Sequence, residues 1–242
     1  MTPYYEDELV TLYHGDALEV TLPHVDLIVT DPPYGETSLA WDRWVDGWPK
    51  KLYDLTRQMW CFGSFRMFFN NAEDFDWWRF GQEIVWEKHN GSGFQADRFR
   101  RVHELVTHWY HGQWTTLTIN PQMTDRPHGL NKSARRRGVT PHTGSINQQP
   151  YVDDGTRLMR SVLFCQSEQG NAVHPTQKPL AIIDPLIRYS TNRGDVVLDP
   201  FAGSGSTLLA AKLAGRKAIG VEINEEYCEI AAMRLSQGVL PL

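Results

Sequence analysis

Residues 199–207 read Asp-Pro-Phe-Ala-Gly-Ser-Gly-Ser-Thr, and this stretch decides the fold of the chain. It follows Val196-Val197-Leu198, a β-branched run that is typical of a buried strand. It leads into an Ala- and Leu-rich segment, residues 206–214, which predicts a helix ending near Gly215. Glycines between a strand and a helix let the backbone approach a ligand closely, and the helix amides face the same point. The stretch therefore predicts a nucleoside-binding turn in an α/β fold.

A second strand and a second helix follow at once, over residues 218–222 and 225–237. Strand, helix, strand and helix at this spacing predict a parallel sheet with right-handed crossovers. Glu222 ends the second strand about 20 residues after the glycines, where a carboxylate can accept hydrogen bonds from ribose hydroxyls. Leu208 replaces the third glycine of a dinucleotide fingerprint, and no lysine follows Gly205 as a phosphate loop requires. A cofactor without a pyrophosphate is therefore favoured.

Asp31-Pro32-Pro33-Tyr34 is the second stretch that carries chemistry. It ends the apolar run 26–30, because two successive prolines cannot continue a central strand. In an open α/β sheet, ligands bind at the carboxyl ends of the strands. A carboxylate, a backbone carbonyl and an exposed aromatic ring at that edge suit a planar substrate that bears an NH₂ group. Asp31 and the Pro32 carbonyl can accept its two N–H donors, and Tyr34 can stack on its ring.

The remaining chain contains further apolar runs and one region of different texture. The runs predict strands at residues 66–70, 83–86, 105–110 and 161–165. Residues 112–170 are rich in Gly, Pro, Asn, Gln, Thr and Arg and show little helical periodicity. We interpret this region as an insertion into the α/β domain.

Composition limits the class of protein. The 242 residues are 41% hydrophobic and 22% charged, which allows a sizeable core and excludes disorder throughout. The formal net charge of -5 gives no support for nucleic-acid binding through bulk charge, although a local basic surface remains open. The three cysteines are far apart, which favours a reducing cytoplasm over a disulfide framework. We expect neither a signal peptide nor a membrane span.

Three motifs in a fixed order resemble the DNA amino-methyltransferases, in the circularly permuted order of their β class. Asp31-Pro32-Pro33-Tyr34 is similar to their catalytic D-P-P-Y motif. His174-Pro175-Thr176-Gln177-Lys178-Pro179 is similar to their H-P-T-Q-K-P motif, and residues 199–207 to their cofactor motif. The resemblance covers most of residues 12–235 and fails over the middle region.

The resemblance implies a Rossmann-like S-adenosylmethionine-dependent methyltransferase fold, with a mostly parallel twisted sheet and helices on both faces. It implies a catalytic part in residues 1–111, a target-recognition insertion in residues 112–170 and a cofactor-binding part in residues 171–242. The expected reaction is site-specific methyl transfer from S-adenosylmethionine to the N6 amino group of adenine in double-stranded DNA, after base flipping. A homodimer and a cognate restriction nuclease are further expectations, because members of the family often have them.

The resemblance also assigns site residues. The catalytic set is Asp31, Pro32, Pro33 and Tyr34. The cofactor set is Asp16, Thr176, Lys178, Asp199, Phe201, Gly203, Ser204, Gly205, Thr207, Glu222 and Asn224. In this assignment Glu222 binds the ribose, Asp16 the adenine amino group, and Thr176 and Lys178 the methionine end.

Basic residues of the middle region are candidate DNA contacts. They are Arg126, Lys132, Arg135, Arg136 and Arg137. A solvated charge run is the alternative interpretation, but the family places target recognition in this region. Arg98, Arg100 and Arg101 are left open between the two interpretations.

Other sites and functions remain as alternatives. His103 and His108 are one residue too far apart for a zinc H-E-x-x-H helix, so we expect no metal. Cytosine N4 is the alternative target, but those enzymes more often carry Ser in place of Asp31. A cytosine C5 mechanism would use a cysteine after a proline, and none occurs. RNA or a protein amide as substrate, an NAD-dependent oxidoreductase and a non-catalytic DNA-binding protein complete the alternatives.

Overall fold

The computed structural model describes residues 2–39, 41–92, 96–125, 155–166 and 177–237. Its strands are β1 (Tyr5–Glu6), β2 (Val10–His14), β3 (Leu27–Thr30), β4 (Gln58–Gly63), β5 (Arg79–Ser92), β6 (Arg101–Tyr110), β7 (Met123–Asp125), β8 (Thr156–Leu158), β9 (Val162–Phe164), β10 (Val196–Asp199) and β11 (Lys217–Glu222). Its α-helices are α1 (Trp48–Lys51), α2 (Phe65–Asn70), α3 (Leu180–Ser190), α4 (Ser206–Leu213) and α5 (Glu225–Ser236).

One sheet organises the larger part of the chain, in the order β1-β2-β11-β10-β3-β4-β6-β5-β9. The five strands from β2 to β4 are mutually parallel. On one side β6 and β5 continue the sheet antiparallel, and on the other β1 pairs antiparallel with β2. The α/β class and the mostly parallel sheet are therefore as predicted.

Helices cover both faces of this sheet, again as predicted. Alternate residues of a strand point to opposite faces, and the buried strand residues divide accordingly. Leu27 and Val29 of β3 pack in a cluster with residues of α3, α4 and α5. Ile28, between them, packs in a second cluster with residues of α1 and α2. No helix in the described ranges is long and apolar enough to cross a membrane.

The strand expected at residues 66–70 is wrong, because this segment is helix α2. Ser64 caps the helix: its hydroxyl accepts a hydrogen bond from the Met67 amide at 3.0 Å. The strand in this part of the chain is β4, whose six residues are all buried and show no alternation. The strands expected at 83–86 and 105–110 lie within β5 and β6, and the strand expected at 161–165 is β9, one residue shorter at each end.

The chain divides into two compact units, Met1–Asn120 with Ser161–Leu242, and Pro121–Arg160. Within the smaller unit, β7 and β8 form an antiparallel pair. The expected insertion, 112–170, is wider than this unit at both ends. Residues 112–120 and 161–166 belong to the larger unit, where β9 pairs with β5.

Candidate active site

Three neighbouring parallel strands end at one edge of the sheet, and each is followed by a carboxylate or ends in one. Asp31 follows β3, while Asp199 and Glu222 are the last residues of β10 and β11. All three side chains line one cavity of about 610 Å³. The parallel topology therefore brings together residues that are up to 191 positions apart in the sequence.

Glu222 holds the glycine turn at one end of this cavity. Its Oε2 accepts a hydrogen bond from the Gly203 amide at 2.7 Å, and its Oε1 accepts one from the Asn224 amide at 2.8 Å. Gly203 has a φ of 50°, and a Cβ there would meet no atom within 4 Å. Burial raises the pKa of the Glu222 carboxyl. A carboxylate has about four lone-pair sites, so Glu222 keeps capacity to accept from a ligand hydroxyl.

Asp16 and Asn224 lie at the same end of the cavity. Asp16 Oδ1 accepts a hydrogen bond from the Leu18 amide at 2.8 Å, which fixes the carboxylate at the turn after β2. Asn224 caps α5 by accepting a hydrogen bond from the Glu226 amide at 2.9 Å. Both residues therefore have a local structural role that also orients them at the cavity.

Asp199 is almost completely buried, with 3% of its surface exposed. Its Oδ1 accepts hydrogen bonds from the Thr30 hydroxyl at 3.0 Å and from the Phe201 amide at 3.1 Å. Burial raises its pKa from 3.8 to about 7, and its hydrogen bonds oppose this effect only in part. Burial thus favours the protonated form of this side chain more than in an ordinary aspartate.

Asp31 is held on both sides by other polar groups of the site. Its Oδ1 accepts a hydrogen bond from the Tyr34 hydroxyl at 2.6 Å, and its Oδ2 lies 2.5 Å from the Lys178 ammonium. Burial raises the pKa of Asp31, and the nearby Lys178 charge opposes that rise. Burial and the Asp31 charge together raise the pKa of Tyr34 well above 10, so its hydroxyl remains a donor.

Three predicted site residues are placed differently from the expectation. The Tyr34 ring is half-buried against the α1 and α2 cluster and is not the freely exposed ring that was expected. Pro32 is buried, and of the described residues it is not among those that line the cavity. Gly205, with a φ of 77°, faces α5: a Cβ there would lie 3.1 Å from the Ala231 side chain. Gly205 therefore serves helix packing, as the third glycine of the fingerprint would.

Asp42 organises the loop that follows the Asp-Pro-Pro-Tyr motif, and the sequence analysis did not identify it. Its carboxylate accepts backbone hydrogen bonds from four residues at 2.7–3.1 Å; they are Tyr34, Gly35, Glu36 and Thr37. Burial alone would raise its pKa, but these hydrogen bonds lower it. Asp-Pro-Pro sets a turn, whereas only the folded loop shows which later carboxylate closes it.

The cavity is lined by more carboxylates than cations. Its acidic residues are Asp16, Asp31, Asp199 and Glu222, and its basic residues are Arg43 and Lys178. Phe201, Gly203, Ser204, Thr207 and Pro33 line it as well. Trp41 and Tyr227, which were not predicted, add aromatic walls and pack edge to face at 6.5 Å. The aromatic rings and the excess of carboxylates favour a ligand that has an aromatic group and carries positive charge.

Several predicted residues lie outside the described ranges. They are Thr176, Arg126, Lys132, Arg135, Arg136 and Arg137. Among the arginines left open, exposed Arg98 pairs with Asp97 and Arg101 pairs with Glu36. His103 and His108 are five residues apart on β6 and so point to opposite faces of the sheet.

The chain matches the sequence profile of the DNA methylase family, whose members modify N6 or N4 amino groups, over residues 25–233. Among its relatives, the Type II methyltransferase M.HinfI of Haemophilus influenzae is 28% identical, over 96% of this chain and 69% of its own. The Type II methyltransferase M.ScaI of Streptomyces caespitosus is 27% identical, over 96% of this chain and 83% of its own.

Solved structures are similar in fold. A crystal structure of an M1.HpyAVI–SAM complex has a TM-score of 0.64 at 26% identity, covering 93% of this chain and 100% of that one. The PvuII DNA methyltransferase, which is cytosine-N4-specific, has a TM-score of 0.65 at 16% identity, covering 99% of this chain and 90% of that one. The profile spans most of the chain, and this chain belongs to the DNA methylase family.

Proposed function

We propose that the chain transfers a methyl group from S-adenosylmethionine to the N6 amino group of adenine in double-stranded DNA. The observation that carries the proposal is the position of Asp31 on the wall of the same cavity as Glu222 and the glycine turn. The glycine turn and Glu222 suit a nucleoside, and Asp31 presents a fixed carboxylate acceptor. A methyl donor and an amino acceptor can therefore meet within it.

The residues present fit S-adenosylmethionine. A cavity of about 610 Å³ is large enough for a ligand of this size. Glu222 keeps acceptor capacity for ribose hydroxyls, Asp16 can accept from an adenine amino group, and the open space beside Gly203 leaves room for the ligand. The excess of carboxylates suits a sulfonium cation and opposes a pyrophosphate, which argues against the NAD-dependent alternative.

Asp31 has the central role in the proposed mechanism. The lone pair of an adenine amino group is delocalised into the ring, so the nitrogen is a poor nucleophile. An N–H···O bond to Asp31 favours a pyramidal nitrogen whose lone pair can attack. When bound, the cofactor supplies an electrophilic methyl group, whose bond to sulfur breaks as its bond to nitrogen forms. Asp31 then takes the surplus N–H proton and releases it to solvent.

Lys178 and Tyr34 keep Asp31 in the form that this role requires. The ammonium favours the ionised carboxylate, which accepts hydrogen bonds, over the protonated form, which donates one. The Tyr34 hydroxyl donates to the Asp31 carboxylate and so fixes its orientation. Positioning of this kind supplies much of the rate in a direct transfer.

The target base is the finer part of the proposal. Asp at position 31 supports adenine, because the cytosine-N4 enzymes of this family more often carry Ser there. The structural similarity to the cytosine-N4-specific PvuII enzyme favours the same fold and leaves cytosine N4 as the second candidate. Flipping either base out of the duplex costs a few kcal/mol.

The decisive experiment is methyl transfer from labelled S-adenosylmethionine to unmethylated genomic DNA, followed by nucleoside digestion and mass analysis. We expect N6-methyladenine from the wild type and none from Asp31→Ala, with the cofactor Kd measured by calorimetry unchanged. Asp54→Ala, an exposed aspartate away from the cavity, is the matched control. N4-methylcytosine would overturn the base assignment, and loss of cofactor binding in Asp31→Ala would overturn the role of Asp31.

A further inference from the structure

A row of four alternating charges extends inward from Asp31. Lys178 contacts Asp31 at 2.5 Å and Glu104 Oε2 at 3.4 Å, so one ammonium lies between two carboxylates. On its other side, Glu104 Oε1 pairs with the ammonium of Lys88. Lys178 and Glu104 have only 9% and 14% of their side chains exposed. Water therefore screens these charges poorly.

Glu104, Lys88 and Lys178 come from three separate segments of the chain. Glu104 lies on β6, Lys88 lies on the neighbouring strand β5, and Lys178 precedes α3. Glu104 Oε2 is buried and accepts no hydrogen bond from the described residues. Its ion pair with Lys178 is thus the longer and weaker of the two that Lys178 makes. Because the cost of desolvating buried charges offsets much of their attraction, such a row of ion pairs is weak evidence for a role in stability alone.

We propose that Glu104 is a positioning residue for the methyl transfer, holding the Lys178 ammonium between two carboxylates so that Asp31 shares this cation and keeps acceptor strength for the substrate amine. Without Glu104, Lys178 pairs with Asp31 alone and competes fully with the substrate N–H for the carboxylate. The inference rests on the proposed function, because Asp31 is the acceptor in that mechanism.

The charges around Asp31 support this role. Asp31 faces Lys178 and Tyr34 directly, Glu104 across Lys178, Asp199 from the adjacent strand β10, and Cys61 from β4. The positive charge of Lys178 lowers the pKa of Asp31, while the negative charge of Glu104 raises it. Burial alone would raise the pKa of Glu104, but Lys178 and Lys88 together lower it, so Glu104 remains ionised and active on Asp31.

Two substitutions have opposite expected effects on Asp31. Glu104→Gln removes a negative charge and leaves Lys178 to Asp31, so the midpoint of Asp31 ionisation falls by about one pH unit. Lys88→Met removes the outer partner of Glu104, which then draws more on Lys178, so the Asp31 midpoint rises. The midpoint is measured by carboxyl ¹³C NMR titration of the whole chain, with and without S-adenosylmethionine. Glu83→Gln, an exposed glutamate of β5, is the matched control and leaves the midpoint unchanged.

Steady-state kinetics of methyl transfer to DNA test the same variants. We expect Glu104→Gln to lower kcat about tenfold, with the KM for DNA and the Kd for cofactor unchanged. The acidic limb of the kcat–pH profile should move to lower pH. Glu104→Asp keeps the charge and recovers part of kcat. Equal Asp31 midpoints in the wild type, Glu104→Gln and Glu83→Gln would overturn the inference, and so would a midpoint shift of the same sign in Glu104→Gln and Lys88→Met.

The two proposals fail in distinguishable ways. If the wild type methylates DNA and Glu104→Gln matches it in midpoint and kcat, only the role of Glu104 is lost. If the wild type methylates no nucleoside, the proposed function is lost, while the NMR titration still decides whether Glu104 controls Asp31. Should Glu104→Gln not fold, Lys88→Met carries the test alone, because its expected rise in midpoint is specific in sign.

Discussion

At the scale of single residues, the site combines carboxylates that differ in their surroundings. Glu222 accepts hydrogen bonds from two backbone amides. Asp31 contacts an ammonium and accepts from a phenol, while Asp199 accepts from a hydroxyl and an amide. Within the described ranges, Asp31 is the one of these three carboxylates that directly contacts a cation. This contact favours the ionised form of Asp31, in line with its proposed role as the acceptor for a substrate amine.

Asp199 predicts a pH dependence of stability. Its pKa is about 7 in the folded chain against about 4 when unfolded, so the folded state binds the proton that the unfolded state loses between these values. The free energy of unfolding therefore falls as pH rises from about 4 to about 7. In Asp199→Asn this contribution is absent, because an asparagine does not titrate. Its amide oxygen can still accept from Thr30 and Phe201.

Urea denaturation without cofactor at pH 5 and pH 8 tests this expectation. The free energy of unfolding of Asp199→Asn relative to that of the wild type is expected to rise between the two pH values, by up to about 3 kcal/mol. Asp54→Asn, at an exposed position, should follow the wild type at both values. Parallel pH profiles for the wild type and Asp199→Asn would show that Asp199 keeps an ordinary pKa.

At the scale of elements, the loop after β3 forms part of the cavity wall. Asp42 fixes residues 34–37 by four backbone hydrogen bonds, and its neighbours Trp41 and Arg43 line the cavity. One buried carboxylate thus connects the Asp-Pro-Pro-Tyr motif to the wall of the cofactor cavity. The loop has little secondary structure of its own and depends on this side chain.

Replacement of Asp42 by Ala is expected to destabilise the chain and to slow transfer. Several backbone N–H groups lose a charged acceptor, at a cost of about 2–4 kcal/mol in the free energy of unfolding. Tyr34 and Asp31 lose their fixed placement, so kcat should fall more than cofactor affinity. Urea denaturation, steady-state kinetics and calorimetry measure the three quantities. Asp46→Ala, an exposed aspartate of the same loop, should change none of them, and an equal loss there would remove the special role of Asp42.

At the scale of the whole molecule, the chain has a large unit that contains the cavity and a smaller unit, Pro121–Arg160. The net charge of -5 means that DNA affinity must come from a local surface. The arginines 135–137 are the densest run of positive charge in the sequence. We therefore propose that they contact DNA phosphates.

Replacement of Arg135, Arg136 and Arg137 by Ala is expected to weaken DNA binding while the cofactor Kd stays unchanged. Loss of phosphate contacts lowers the slope of log Kd against log salt concentration by up to about 3. Fluorescence anisotropy over a range of salt concentrations measures it. The control replaces Lys50, Lys51 and Lys217, which removes the same charge from exposed positions of the larger unit. An unchanged slope in the arginine variant would mean that the run is a solvated surface.

The sequence was most informative where local chemistry alone constrains the backbone. Residues 196–222 predict a strand, a glycine turn, a helix and a second strand, and the structure confirms each. The double proline after Asp31 correctly ended a buried strand. Residues 66–70 were assigned to the wrong element because an aromatic-rich segment suits a strand or a helix equally well. The helical hydrogen bonds, among them the cap from the Met67 amide to Ser64, distinguish the two.

By itself, then, the sequence determined the α/β class, the family motifs and the carboxylates at the strand ends, because strand ends, prolines and glycines act locally. The tertiary structure decided what surrounds those carboxylates. Lys178, Glu104 and Asp42 act on Asp31 and its loop across as many as 147 positions of sequence, through strand pairing and loop packing that no local pattern encodes. Burial sets the pKa of Asp199 in the same way. Charge interactions depend on distance in space, and that distance exists only once the sheet has assembled.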